Sequence, residues 1–235
     1  QRTVLNVYNW EDYIDETVLE DFETEHPDIK INYERFVTNE DLYNKLANSN
    51  ASYDLLFPSD YMIEKMIQEG MLAKLDFSNI PNAQLIDPQF QNLDYDPANE
   101  YSVPYMWGTL GILYNKNMVK EETIGWDLLF GTKYQGQILM MDSVRDAMGA
   151  ALMSLGYSLN STNPEEITQA KEKLIEQKKH ILAYGFDDIK DKMVAGEAAV
   201  ALVYAGDALY AMNQNPDLAY AIPKEGSNLF FDAMV

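Results

Sequence analysis

Six segments at the start of the chain alternate in kind, and that alternation restricts the possible folds more than any other feature. TVLNVYNW (3–10) alternates apolar and polar residues as a strand does. DETVLEDFETEH (15–26) sets Val18, Leu19 and Phe22 at helical spacing, with acids in the first turn where the helix dipole favours them. DIKINYERFV (28–37) puts Ile29, Ile31 and Tyr33 on one face of a second strand. NEDLYNKLANS (39–49) is helical through Leu42, Tyr43 and Leu46. YDLLFPS (53–59) is a short apolar strand ended by Pro58, and YMIEKMIQEG (61–70) is a helix stopped by Gly70. Strand and helix in strict turn predict βαβ units and a parallel, doubly wound sheet. Such sheets bind ligands beyond the carboxyl ends of their strands. Trp10–Tyr13 and PSDY (58–61) leave the first and third strands at that edge.

Residues 74–100 are loop-rich, and DYDPANE (94–100) lacks the glycine and the closing glutamate of a calcium loop, so it reads as a turn. YSVPYMWGTLGILYN (101–115) then breaks the pattern: it is extended, apolar and long enough to leave one domain and enter another. A second set of units follows. These are a strand at 136–142, helices at 145–155, 164–178 and 187–195, a strand at 198–204, a helix at 206–214, a strand at 218–223 and a final apolar run. Asn163, Pro164 and Glu166 form a helix-start pattern.

Several function classes lose their support on composition. The formal charge of -21 repels nucleic acid, whose phosphates need lysine and arginine. It suits a cationic partner, or solubility alone. With no cysteine there are no disulfides, thiolate metal sites or cysteine nucleophiles, and two isolated histidines support neither a metal cluster nor a Ser-His-Asp triad. GTKYQGQ (131–137) lacks the lysine and hydroxyl of a phosphate loop. No apolar run approaches the roughly 20 residues of a membrane helix. The chain starts at Gln1 and runs almost at once into a strand, as a mature chain does once its leader has been removed.

Of 28 aromatic residues most belong to the core, and any one ring taken alone is a core ring. What recurs is a pairing at expected strand ends. Trp10/Asp12/Tyr13, Ser59/Tyr61, Tyr204/Asp207 and Phe230/Phe231/Asp232 each combine rings with a carboxylate or hydroxyl, and Asp142 and Asp146 follow another strand. Ring faces and carboxylates together make a receptor for an organic cation. The acid pair Asp142/Asp146 leaves acid–base catalysis open, although no nucleophile or metal motif accompanies it.

YNWEDYI, YDLLFPSDYMIEKMIQEGML, YSVPYMWGTLGILYN, DSVRDAMGAALMSLGYSLNSTNPEEI and IPKEGSNLFFDAMV, in this order, resemble the spermidine/putrescine-binding proteins of bacterial ABC importers. The resemblance implies a type II periplasmic-binding-protein fold: two doubly wound α/β lobes joined by crossing strands, with a polyamine in the cleft. The lobes expected on this basis are 1–104 and 105–231, with 232–235 beginning the return crossover to the first lobe. It further implies a non-catalytic monomer without cofactor in the periplasm or on the outer face of the membrane, lipid-anchored in some relatives, feeding membrane permease subunits. Carried over position by position, the ligand residues are Trp10, Asp12, Tyr13, Ser59, Tyr61, Asp146, Tyr204, Phe230 and Asp232. In the first motif Asp12, not Glu11, takes the acidic position. Ser143 stands where the family has an acid, and Tyr204 and Phe230 where it has tryptophans, which leaves open which polyamine is preferred, with a receptor for another small organic cation or metabolite as the alternative. Family members continue well past the point matching Val235, which implies a truncated chain and leaves a non-binding fragment as an alternative.

Overall fold

A computed structural model describes residues 2–235. The chain divides into two compact units: one holds the chain up to Trp107 together with Phe230–Val235, the other Gly108–Leu229. Residues 105–107, 230 and 231, expected in the second lobe, are thus grouped with the first unit.

In the first unit the alternation reads out directly. β1 (Thr3–Trp10), α1 (Thr17–Glu25), β2 (Ile29–Phe36), α2 (Asn39–Asn48), β3 (Leu55–Leu56) and α3 (Asp60–Gln68) follow one another. The three strands are parallel in the order β2-β1-β3, so the exits of β1 and β3 are neighbours at the same sheet edge. Tyr8, Phe36, Leu42, Leu56, Met62 and Met66 form a core cluster that ties α2 and α3 to the sheet. Burying each such side chain is worth about 1.5–3 kcal/mol. Thr38 starts α2 by accepting the Asp41 N–H at 3.1 Å, a cap worth about 1 kcal/mol. α3 ends as the sequence predicts, with Gly70 at φ +68°, a conformation costly for residues with a Cβ. β3 is shorter than the expected strand, because Pro58 has no N–H to extend the ladder. DYDPANE is a turn, held by the buried Asp96 carboxylate accepting the N–H groups of Glu100, Tyr101 and Ser102.

β4 (Val103–Asn115) carries the chain from the first unit into the second. There follow α4 (Asp127–Phe130), β5 (Ile138–Met141), α5 (Val144–Ser154), α6 (Pro164–Gln177), β6 (Ile181–Gly185), α7 (Asp188–Val194), β7 (Val200–Tyr204), α8 (Ala205–Gln214), β8 (Leu218–Ala221) and β9 (Leu229–Met234). The sheet order is β6-β5-β7-β4-β8, with β9 also pairing β4. β5 is parallel to β6 and β7, while β4 is antiparallel to β7 and β8, so this sheet is mixed. β5 and the first four residues of β7 are buried throughout, which explains why ILMM and VALV are unbroken apolar runs. Trp126, fully buried, donates its indole N–H to the Gly226 carbonyl at 3.0 Å. Gly111 lies against the Tyr220 side chain, whose hydroxyl donates to the Thr109 carbonyl at 3.0 Å; any Cβ there would collide with the ring.

Candidate functional site

Each unit carries a buried aspartate that accepts both a serine and a tyrosine hydroxyl. In the first unit this is Asp232. The end of β9 lies against the end of β3: Val235 N–H donates to the Leu56 carbonyl and Leu56 N–H to the Val235 carbonyl, both at 2.9 Å. Ala233 N–H donates to the Pro58 carbonyl at 3.2 Å. That pairing sets Asp232 opposite Ser59. The Ser59 hydroxyl donates to Asp232 Oδ1 at 2.6 Å and the Tyr13 hydroxyl to Oδ2 at 2.5 Å. Trp10, the last residue of β1, is anchored by its indole N–H to the Phe57 carbonyl at 2.7 Å and packs on Phe36, with centroids 4.5 Å apart. Its ring meets Tyr13 edge-on at 6.5 Å. The exits of β1 and β3 therefore hold Tyr13 and Ser59 on one carboxylate, with Trp10 beside Tyr13.

The other residues singled out in this unit stand differently. Asp12 is exposed. Tyr61 donates its hydroxyl to Glu40 Oε1 at 2.8 Å, and Phe230 is half-buried at the start of β9. Three further residues contribute. Tyr105 on β4 packs edge-on against Tyr13 at 5.3 Å and Phe57 at 4.8 Å and donates to the Tyr13 carbonyl at 2.5 Å; burial pushes its hydroxyl above the ordinary range. Asn39 bonds Ser59, and Asp60 accepts the Phe231 N–H at 3.1 Å.

In the second unit the acid is Asp146, buried in the first turn of α5. Ser143, where an acid was expected to be missing, is the N-cap of that helix: its Oγ accepts the Asp146 N–H at 3.3 Å and its hydroxyl donates to Asp146 Oδ2 at 2.7 Å. The S-x-x-D spacing of a capping box was readable in the sequence. Tyr204, the last residue of β7 and N-cap of α8, donates to the same Oδ2 at 2.6 Å and packs edge-on against Phe186 at 6.3 Å. Asp142 is exposed. Among the described residues, no group of three or more histidines or acids is placed to hold a metal ion.

The pairing of a carboxylate with a tyrosine hydroxyl occurs elsewhere in the chain, and there it takes an ammonium group. Tyr43 donates to Glu69 at 2.7 Å while Lys65 bonds the other oxygen at 2.7 Å and lies 4.6 Å from the Tyr43 ring. Tyr134 and Lys133 share Glu121 in the same way at 2.7 and 2.6 Å, with the ammonium 5.4 Å from the Tyr134 ring. Tyr53 and Lys45 share Glu34, with the ammonium 4.7 Å from Tyr8 and 5.5 Å from Tyr53. The Lys133 ammonium brings the Glu121 carboxyl down to about 2. Carboxylate, phenol and ring thus form a working receptor for a primary ammonium.

Residues 17–235 match the family described as bacterial extracellular solute-binding protein. The chain is 36% identical over 232 residues to the spermidine/putrescine-binding periplasmic protein of Salmonella typhimurium, covering 98% of this chain but only 66% of the relative's length. A solved structure from Listeria monocytogenes, named as a spermidine/putrescine ABC transporter, is 43% identical with a TM-score of 0.94, over 99% of this chain and 72% of the other. A periplasmic binding protein of Actinobacillus pleuropneumoniae, at 19% identity and a TM-score of 0.76, shares the fold over 100% of this chain and 73% of its own. The fold is that of the type II periplasmic binding proteins, and the chain belongs to the bacterial extracellular solute-binding protein family.

Proposed function

We propose that the chain captures a polyamine, spermidine or putrescine, outside the cytoplasm and delivers it to the membrane permease subunits of an ABC importer, as a monomer and without catalysis. The observation that carries this reading is the buried acid that accepts a tyrosine and a serine hydroxyl in each unit, Asp232 with Tyr13 and Ser59, and Asp146 with Tyr204 and Ser143. The same acid–phenol arrangement binds the chain's own lysines at Glu69 and Glu121. The names of the Salmonella and Listeria relatives agree with it.

In this reading Asp12, Asp146 and Asp232 bind ammonium groups, Ser59 adds a hydrogen bond, and Trp10, Tyr13, Tyr61, Tyr204 and Phe230 lie along methylenes. A charge-assisted hydrogen bond contributes about 1.5–3 kcal/mol, and a ring beneath a cation about 0.5–2 kcal/mol. The acids therefore set most of the affinity, and the rings discriminate by spacing. The test is titration calorimetry of the protein with putrescine, spermidine and choline. Saturable binding of a polyamine with choline far weaker is the expected result. Heat from neither polyamine rejects the reading, and preferential choline binding replaces it with a quaternary-amine receptor.

A further inference from the structure

We infer that Asn39 is a positioning residue that orients the Asp232 carboxylate through Ser59; the inference rests on the reading that Asp232 receives an ammonium group. Asn39 is the first residue of α2, directly after the Thr38 cap, and is 5% exposed. Both atoms of its amide engage Ser59. Oδ1 accepts the Ser59 backbone N–H at 2.9 Å, and Nδ2 donates to Ser59 Oγ at 3.0 Å. The orientation of the amide follows from chemistry, because a backbone N–H can only donate and so must face the oxygen. The NH2 then faces the serine hydroxyl, which accepts from it. The single proton of that hydroxyl points to Asp232 Oδ1 at 2.6 Å.

A serine hydroxyl ordinarily turns to whichever acceptor suits it. Here Asn39 occupies its accepting side, which leaves the hydroxyl proton directed to Asp232. The carboxylate is thereby held at Oδ1 from Ser59 and at Oδ2 from Tyr13, before any ligand arrives. Preorganisation of this kind raises affinity by lowering the ordering cost of binding. Besides Tyr13, the titratable groups near Asp232 include Asp60, which accepts the Phe231 N–H, and Tyr95. Burial, with the carboxylates of Asp60, Asp96 and Asp232, pushes the Tyr95 hydroxyl up to about 12.

Two measurements on wild type, N39A, S59A and N39A/S59A test the inference. The first follows the Asp232 side-chain carboxyl carbon by NMR against pH without ligand. N39A is expected to move its midpoint up by about half a unit or more, since a lost donor disfavours the anion. In the S59A background the same substitution is expected to move it no further. The second is polyamine calorimetry, in which N39A weakens binding by roughly 3- to 10-fold and adds nothing to S59A. An unmoved Asp232 midpoint in N39A, or losses that simply add, overturns the role of Asn39. If the wild type binds no polyamine, the functional reading fails while the carboxyl titration still decides the positioning role. N39D covers the case in which N39A does not fold: it keeps the acceptor for the Ser59 N–H, replaces the donor by a second carboxylate, and is read against N39D/S59A, which carries the same added charge without the serine hydroxyl. Its midpoint must rise further above wild type than that of N39D/S59A rises above S59A, and equal rises count against the inference.

Discussion

Asp232 and Asp146 present the same chemistry, but the chain assembles them by different routes. Asp146 is served by a serine three residues before it, in the cap of its own helix, and by a tyrosine 58 residues away. Asp232 depends on residues 173 and 219 positions away, brought to it when β9 pairs with the end of β3. The detailed geometry differs too. Tyr13 and Ser59 bond separate oxygens of Asp232, whereas Tyr204 and Ser143 bond one oxygen of Asp146. A buried carboxylate can therefore be oriented either by local helix capping or by long-range strand pairing, and the two constructions respond differently to substitution.

The largest expected effect comes from removing charge. Asp232→Asn should weaken polyamine binding by more than about tenfold, since leaving one partner of a buried charge pair unmatched costs about 2–5 kcal/mol. Calorimetry checks this, and an unchanged affinity would remove Asp232 from the site. Hydroxyl deletions are smaller and separate the two constructions. Each of Tyr13→Phe, Ser59→Ala, Tyr204→Phe and Ser143→Ala should cost about 0.5–1.5 kcal/mol of affinity. The pair at Asp232, acting on separate oxygens, should add. The pair at Asp146 should cost more together than the sum, because after one deletion the remaining hydroxyl can still serve the shared oxygen. Equal couplings in two double-mutant cycles would erase the distinction.

The smallest effect concerns a carboxylate already closed by a lysine, as a reference for both. Lys133 lowers the Glu121 carboxyl from 4.5 to about 2. A depressed folded-state value means that its contribution is complete above the ordinary glutamate range and lost as the pH falls from 4.5 towards 2. Glu121→Gln should lower thermal stability near neutrality and flatten its dependence on pH within that window, the deficit shrinking as the pH falls towards 2. A slope equal to wild type in a melting series would contradict this.

The first unit was legible because its strands and helices alternate cleanly and each carries its own stop, Pro58 and Gly70 being the clearest. The second unit hid β6, whose Leu182 and Tyr184 are exposed on an edge strand, so its apolar residues do not mark a buried face. The antiparallel setting of β4 was also invisible, since strand direction is fixed by connections and not by composition. At the site, ring-and-acid pairings were visible at strand exits, whereas Ser143 stood out only as a missing acid, although its S-x-x-D spacing also signals a cap. Asn39 and Tyr105 were not visible, because their roles arise from partners 20 and 92 residues away.

The distance along the chain between Ser59 and Asp232 also has a consequence in time. During synthesis the rings and hydroxyls at the exits of β1 and β3 are made 173 residues before the acid they surround. At a synthesis rate of roughly 5–20 residues per second, that interval is on the order of 10 to 35 s. For that period the first strands have a cluster without its centre, and closing so long a loop comes late in folding. Completion of the Asp232 cluster is then a late event, delayed until the second unit has been made and the chain has returned to the first.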